Sequence, residues 1–335
     1  MNIGKKGIAF ILGIICTTSI MISCGKQEEE EQFVNRMGYA LNTQIEITIY
    51  GTDNEQLITD CFTLCSKYEK LFSKTIEDSE ISLLNQTGEQ VVSDETMELL
   101  KKGLYYSEVS NGAFDITIEP VSSLWDFTSG ENKLPDADLI EERLQYVDYE
   151  KVHLEGNKVS LDNGMGIDLG AIAKGYIADR LKEYLESQGV ENAYISLGGN
   201  VLCIGSKLSG EDFVIGIRNP QSSKNEAIMS VSVADKSVVT SGTYERYIVV
   251  DGKKYHHILD PKTGYSYEND LDSVTIISEK SVDGDGLSTT CFALGVEEGL
   301  KLIDSIDDVW AIFIDKNGNI TYSEGFQDNI PYKEF

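Results

Sequence analysis

The pattern of apolar and polar positions divides the chain into strands and helices that do not alternate in a strict order. Residues 45–50 (IEITIY) alternate with a period of two, which predicts a strand. Apolar residues recur at helical spacing in four other segments, and Asn111-Gly112 and Gly189 follow two of them as stop signals. The predicted helices cover residues 55–72, 94–110, a segment that begins near Pro135, and 171–188.

The second half of the chain is dominated by short β-like runs, at residues 193–197, 201–205, 213–217, 228–234, 246–250 and 273–278. Residues 309–323 have the pattern of a hairpin with Asn317-Gly318 at its turn. Clustered strands with interspersed helices favour an α+β fold over a doubly wound parallel sheet. We find no internal repeat and no linker after residue 34, so we expect residues 35–335 to form a single compact unit.

Residues 1–23 have the pattern of a lipoprotein signal peptide. Lys5 and Lys6 precede an apolar run over residues 7–22, which is shorter than the roughly 20 residues of a membrane-spanning helix. The run ends at Cys24 in a sequence similar to a bacterial lipobox, so we expect lipidation of Cys24. A plain cleaved signal with an incidental cysteine is the alternative. Residues 24–34 would then be an acidic tether, and the protein would be extracytoplasmic and held to a bacterial membrane by its lipid alone.

The charge of the chain limits its partners. It carries 28 Lys and Arg against 56 Asp and Glu, a formal net charge of −28. Such a surface repels phosphate backbones, so we expect no nucleic-acid partner. A phosphorylated ligand would need a metal ion or a local cluster of donors. Cys61 and Cys65 share one apolar helical stripe, which favours buried thiols over a redox or metal pair.

Five short clusters carry residue types that are suited to chemistry. In one, glycine precedes a helix whose first turns carry Lys174, an arrangement that binds anions. In another, Asp285 and Thr289 are four residues apart, and on a helix they would present hard oxygen ligands for Mg²⁺ on one face. Taken singly, each cluster also fits ordinary caps, turns and solvated charges. The clusters are GAFD (112–115), DLGAIAKGYIAD (168–179), SLGGN (196–200), HHILDPKTG (256–264) and DGDGLSTT (283–290).

Together and in this order, the clusters resemble the ApbE-type FAD:protein FMN transferases, bacterial flavin transferases often made as lipoproteins. The resemblance covers roughly residues 35–325, and it extends to Met37-Gly38 and to residues 79–85, 112–125, 240–247 and 283–295. It implies an α+β fold with an FAD cleft, and transfer of the FMN half of FAD to a Thr or Ser hydroxyl of a target protein, with release of AMP.

The resemblance also implies roles for individual residues. His257 corresponds to the proposed base, and adjacent His256 would face the opposite way on a strand. The implied Mg²⁺ ligands are the carbonyl of Ala171 with Asp285, Thr289 and Ser288. The implied FAD contacts are Met37, Thr75, Ala113, Phe114, Asp115, Asp168, Lys174 and Leu259.

The sequence departs from the family pattern in two places. Ser73-Lys74-Thr75 offers no aromatic residue where the family often has one, and GDG replaces the usual ADA around Asp285. Two other functions use the same residues. An FAD pyrophosphatase would use water in place of the acceptor, and a non-catalytic flavin-binding lipoprotein would retain FAD unchanged. For the transferase, the expected partners are FAD and an acceptor protein, a membrane or extracytoplasmic redox protein.

Overall fold

A computed structural model describes residues 32–222, 224 and 226–335. The predicted signal peptide, the predicted lipidation at Cys24 and most of the predicted acidic tether lie outside the described residues. Within the described part, no helix has the length and apolar character needed to cross a membrane. Residues Gln32–Phe335 pack together as one unit.

The helices agree closely with the apolar periodicity of the sequence. The predicted helix at 55–72 has these same bounds, and the other three begin or end within about two residues of the prediction. Polar residues that precede the helices, such as Asn54 and Ser93, accept a hydrogen bond from the first turn and fix where each begins. The helices are α1 (Glu55–Phe72), α2 (Glu80–Thr87), α3 (Asp94–Val109), α4 (Glu119–Ser122), α5 (Ala137–Leu144), α6 (Ala173–Ser187), α7 (Ser281–Ile303) and α8 (Phe326–Asn329).

The predicted strands and the predicted terminal hairpin are present, and further short strands join them. The strands are β1 (Phe33–Ala40), β2 (Thr43–Tyr50), β3 (Glu89–Val91), β4 (His153–Glu155), β5 (Lys158–Ser160), β6 (Ala193–Leu197), β7 (Asn200–Ile204), β8 (Phe213–Arg218), β9 (Ala227–Val233), β10 (Ser237–Gly242), β11 (Tyr247–Val250), β12 (Lys253–His256), β13 (Leu271–Ser278), β14 (Trp310–Asp315), β15 (Ile320–Tyr322) and β16 (Tyr332–Glu334).

An eight-stranded antiparallel sheet organises the molecule, in the order β1-β2-β6-β7-β10-β13-β14-β15. The odd positions of β2, Ile45, Ile47 and Ile49, are buried in the core that α1, α3, α6 and α7 cover. The opposite face packs partly against a smaller sheet, β16-β9-β8, through residues such as Val201 and Ile312. Helices on one face and strands on the other give the α+β architecture.

Buried thiols lie on the helical side of this core. Cys61 and Cys65 are fully buried on α1, as the apolar stripe predicts, and both are reduced. Burial raises the pKa of each thiol to about 12, so neither is a reactive thiolate at neutral pH. Their role is packing.

Candidate functional site

A cleft of about 1460 Å³ is lined by strands of the main sheet, by residues of α1, α6 and α7, and by the loops between them. It exceeds the roughly 300–1,000 Å³ of common ligand pockets, so it has room for an extended ligand. Residues from all five sequence clusters line it, although the clusters lie far apart in the chain. Among them are Ala113, Asp168, Gly199, His257 and Asp285.

Asp285 is held in place by two neighbours. Its Oδ2 accepts a hydrogen bond from the backbone N–H of Gly175 at 2.6 Å, and its Oδ1 accepts one from Asn200 Nδ2 at 2.9 Å. Only glycine permits this approach of α6 to α7, because a Cβ at position 175 would lie 2.2 Å from the Ser281 carbonyl oxygen. Asn200, which holds this carboxylate, is not among the candidate site residues predicted from the sequence, although it belongs to the SLGGN cluster.

Three of the four residues predicted to bind Mg²⁺ line the cleft. Ala171, Asp285 and Thr289 line the cleft, and Thr289 Oγ1 is 3.1 Å from Ser241 Oγ. Ser288 does not line the cleft: one residue earlier on α7, it is rotated about 100° and fully buried. There its hydroxyl bonds to Ser241 and to the Asp285 carbonyl.

The donor set fits Mg²⁺ bound together with a substrate. In the described part of the chain, no three His, Cys, Asp or Glu side chains are grouped as a metal cage. Mg²⁺ is commonly held by one or two carboxylates plus substrate phosphates and water. The carboxylate of Asp285, the hydroxyl of Thr289 and the Ala171 segment are hard oxygen donors of this kind, and each carboxylate oxygen has a further lone pair.

Positive charge in the cleft comes from the beginning of α6. Lys174 is in the first turn of this helix, and it lines the cleft. Glu245 also lines the cleft, where the protein displaces part of the water around its carboxyl group. This desolvation raises its pKa to about 7, while the charges of Lys174 and Arg246 oppose the rise. Lys174 and the helix N-terminus can therefore receive an anionic ligand.

Asp168 is paired with a cation that the sequence analysis did not identify. Lys74 Nζ is 2.8 Å from Asp168 Oδ2, and the same oxygen accepts a hydrogen bond from Ser122 at 2.8 Å. The backbone N–H of Gly170 donates to the other oxygen at 2.9 Å. Burial opposes ionisation of Asp168, but Lys74 and these hydrogen bonds outweigh it and hold the pKa below its ordinary value. This ion pair lies in the segment Ser73-Lys74-Thr75, which lacks the aromatic residue noted in the sequence analysis.

The two histidines lie in different surroundings. His256 ends β12 and is buried, with its Nε2 3.1 Å from the Tyr267 carbonyl oxygen and its ring edge-on to Phe292. His257 lines the cleft, and its Nδ1 is 3.3 Å from the carbonyl oxygen of Arg246. If Nδ1 carries the proton and donates it there, Nε2 can accept a proton from a ligand. Burial, then the Arg246 charge, lowers the pKa of His257 to about 3, so its imidazole is neutral at physiological pH.

Seven of the eight residues implied as flavin contacts line the cleft. Thr75, Ala113, Phe114, Asp115 and Leu259 line the cleft with Asp168 and Lys174. The carboxylate of Asp115 already accepts hydrogen bonds from the backbone of residues 117 and 149, so it shapes this wall.

Met37 differs from the other implied flavin contacts because it does not line the cleft. It lies on the edge strand β1, two strands away from β6, and its side chain is 56% exposed. Its partner on β2, Glu46, does line the cleft. Met37 therefore stands just beyond the cleft rim.

Comparison with known proteins gives the family. The model of the ApbE family matches residues 41–313. An FAD:protein FMN transferase of Klebsiella pneumoniae (strain 342) is 39% identical over 289 residues, which cover 84% of this chain and 89% of the relative. One of Treponema pallidum (strain Nichols) is 33% identical over 340 residues, with coverage of 95% and 94%.

Solved structures agree with the α+β fold. The crystal structure of the ApbE protein from Thermotoga maritima superposes with a TM-score of 0.81 at 33% identity, covering 88% of this chain and 98% of that chain. The flavin transferase ApbE from Vibrio cholerae gives a TM-score of 0.80 at 28% identity, with coverage of 89% and 99%. These matches confirm the expected fold and the resemblance on which it rested. The chain belongs to the ApbE family.

Proposed function

We propose that this protein is an enzyme that transfers the FMN moiety of FAD to a Thr or Ser hydroxyl of an acceptor protein and releases AMP, with Mg²⁺ as cofactor. One observation carries the proposal. A single large cleft collects a neutral histidine, a lysine at a helix N-terminus, and a carboxylate with a hydroxyl suited to Mg²⁺. The names of the curated relatives support the flavin-transfer activity.

In the proposed reaction, the acceptor hydroxyl oxygen attacks the phosphorus on the riboflavin side of the FAD pyrophosphate. The new O–P bond forms as the bond from that phosphorus to the AMP oxygen breaks, and AMP leaves with the electron pair. His257 Nε2 takes the hydroxyl proton, while the Arg246 carbonyl keeps the other ring nitrogen protonated and the ring oriented. The product is a phosphoester between FMN and the acceptor side chain.

Charge is the main obstacle to this reaction, because the pyrophosphate is anionic and the protein has a net charge of −28. Lys174 and the N-terminus of α6 would bind its oxygens without a globally basic surface. Asp285, Thr289 and the Ala171 carbonyl would hold Mg²⁺, which supplies charge neutralisation when bound. Asn200 and the Gly175 N–H keep the Asp285 carboxylate oriented for that ligation.

The test is to incubate the purified protein with FAD, Mg²⁺ and extracytoplasmic proteins of the native cell. We expect covalent fluorescent flavin on at least one acceptor, with one AMP released for each flavin attached. Free FMN and AMP without labelled protein would instead assign the chain as an FAD pyrophosphatase. FAD retained without AMP release would assign it as a flavin-binding protein. Asp285→Ala should abolish AMP release, and Glu297→Ala, an exposed change beyond the break of α7 at Gly295, is its control.

The location of the reaction is part of the proposal. The signal-like residues 1–23 and the lipobox-like ending at Cys24 support a lipid anchor and an extracytoplasmic active site. An acceptor on the same side of the membrane would then be a membrane or extracytoplasmic redox protein. Identifying the labelled residue of the recovered acceptor by mass spectrometry tests the expectation of a Thr or Ser.

A further inference from the structure

The strand β1 is an unusually open edge of the main sheet. Among the described residues, β1 and β15 end this sheet, and β1 has eight residues where β15 has three. Its exposed apolar side chains are Phe33 at 55%, Met37 at 56% and Tyr39 at 74%. Proteins usually protect a long edge strand with charges, proline or a bulge. The strand β1 contains no lysine, proline or bulge, and its one charged residue, Arg36, contacts Thr59 and Glu55 of α1.

The geometry of the hairpin determines which backbone groups of β1 point outward. Leu41 and Asn42 have φ of 54° and 57°, as in a two-residue type I′ turn, so Ala40 forms a hydrogen-bonded pair with Thr43. Pairing then alternates along the strand. The N–H and C=O groups of residues 35, 37 and 39 therefore point away from β2. None of them has a backbone partner elsewhere in the described part of the chain.

The exposed side chains of β1 continue the floor of the cleft. Residues paired across two strands share a face of the sheet, and Glu46 and Thr48 on β2 line the cleft. Asn35, opposite Thr48, donates a hydrogen bond to its Oγ1 at 2.7 Å. The outer row that starts at Phe33 and ends at Tyr39 is therefore the same surface, extended past the cleft rim to the edge of the sheet.

The end of this row lies close to the catalytic base. The guanidinium of Arg246 donates to the carbonyl oxygen of Asn42 at 3.2 Å, in the turn that follows β1. The carbonyl oxygen of the same arginine contacts Nδ1 of His257 at 3.3 Å. A single residue thus spans the gap between the β1–β2 turn and the base. A chain that leaves β1 at its Tyr39 end would reach the cleft next to His257.

We propose that β1 is the docking edge for the acceptor polypeptide, which adds to the main sheet as an extra strand. Its reactive hydroxyl would follow this paired segment and enter the cleft beyond Tyr39. The occupant is an extended polypeptide because a row of outward N–H and C=O groups pairs with another backbone, while the exposed apolar row contacts alternate side chains. This inference rests on the proposed function, which requires a polypeptide acceptor at this cleft.

The test uses two variants of Tyr39 and a peptide that spans the labelled residue of the acceptor recovered above. Tyr39→Pro removes one outward N–H and leaves the β1–β2 ladder intact, since proline is tolerated on an open edge. Tyr39→Thr is the matched control, because it removes the same ring but keeps the N–H. We expect Tyr39→Pro to raise the peptide KM about 2- to 10-fold above that of Tyr39→Thr, the size of one net hydrogen bond. The kcat and the FAD affinity should not change.

Hydrogen exchange in the unaltered protein gives a second measurement that does not depend on folding of the proline variant. Peptide binding should slow exchange at the outward amides of residues 35, 37 and 39 and leave residues 34, 36 and 38 unchanged. If exchange at residues 35, 37 and 39 does not slow, or if folded Tyr39→Pro and Tyr39→Thr have equal KM values, the docking site is overturned. Flavin transfer itself would still stand. If the protein self-associates and Tyr39→Pro abolishes this association while KM stays unchanged, the edge binds a second copy of the chain. That result would also overturn the docking proposal. Absence of any labelled acceptor would instead overturn the proposed function.

Discussion

Replacing each of the two adjacent histidines by alanine separates chemistry from packing. The His257 ring makes one hydrogen-bond contact, with the Arg246 carbonyl, and lines the open cleft. We therefore expect His257→Ala to leave stability nearly unchanged and to slow flavin transfer about 10²–10⁴-fold, the usual loss for a general base. This corresponds to roughly 3–5 kcal/mol in the activation barrier.

The matched variant His256→Ala should behave in the opposite way. His256 is 6% exposed, and its ring fills space against Phe292 and bonds to the Tyr267 carbonyl. Its removal leaves a cavity and an unsatisfied carbonyl, so we expect a loss of about 2–4 kcal/mol in the free energy of unfolding. The rate of transfer per folded molecule should not change.

Single-turnover transfer of flavin to the recovered acceptor, normalised to folded protein, measures the first effect, and urea unfolding measures the second. The pH dependence provides a further check. The pKa of His257 lies at about 3, so kcat/KM should not decline as pH falls through 6.5, where an ordinary histidine becomes protonated. A normal transfer rate in folded His257→Ala, or a large loss of rate in folded His256→Ala, would refute this assignment of the base.

Three further predictions follow from the cleft and the N-terminus. Asp285→Ala should abolish AMP release while the fold persists, and wild-type release by this variant in Mg²⁺ would contradict the metal assignment. We expect Lys74→Met to lower the free energy of unfolding by roughly 1–3 kcal/mol at pH 7, because it leaves Asp168 unpaired. Since folding lowers the pKa of Asp168, urea unfolding should show that this deficit shrinks as pH falls below about 4. Cys24→Ser should move the protein from the membrane fraction to the supernatant with transfer activity intact, and continued lipid labelling elsewhere would show that the signal was misinterpreted.

Local patterns in the sequence predicted much of the secondary structure. Helix α1 has the bounds that its apolar stripe and the preceding Asn54 indicate, because both signals act within a few residues. The hairpin at Asn317-Gly318 forms for the same reason. The same local spacing places Asp285 and Thr289 on one face of α7. The edge strand β1 was missed, since a half-exposed strand lacks a strong apolar alternation.

The sequence alone determined the family resemblance, the acidic character and the residue types at the site, since these are properties of short segments in order. Only the tertiary structure decided which groups meet. Lys74 pairs with Asp168, and Asn200 with Asp285, across 94 and 85 positions of the chain. The packing of α6 against α7 at Gly175 decided the orientation of the Asp285 carboxylate. Such contacts depend on how the sheet and helices pack, and no local periodicity encodes the distance between two segments that fold onto each other.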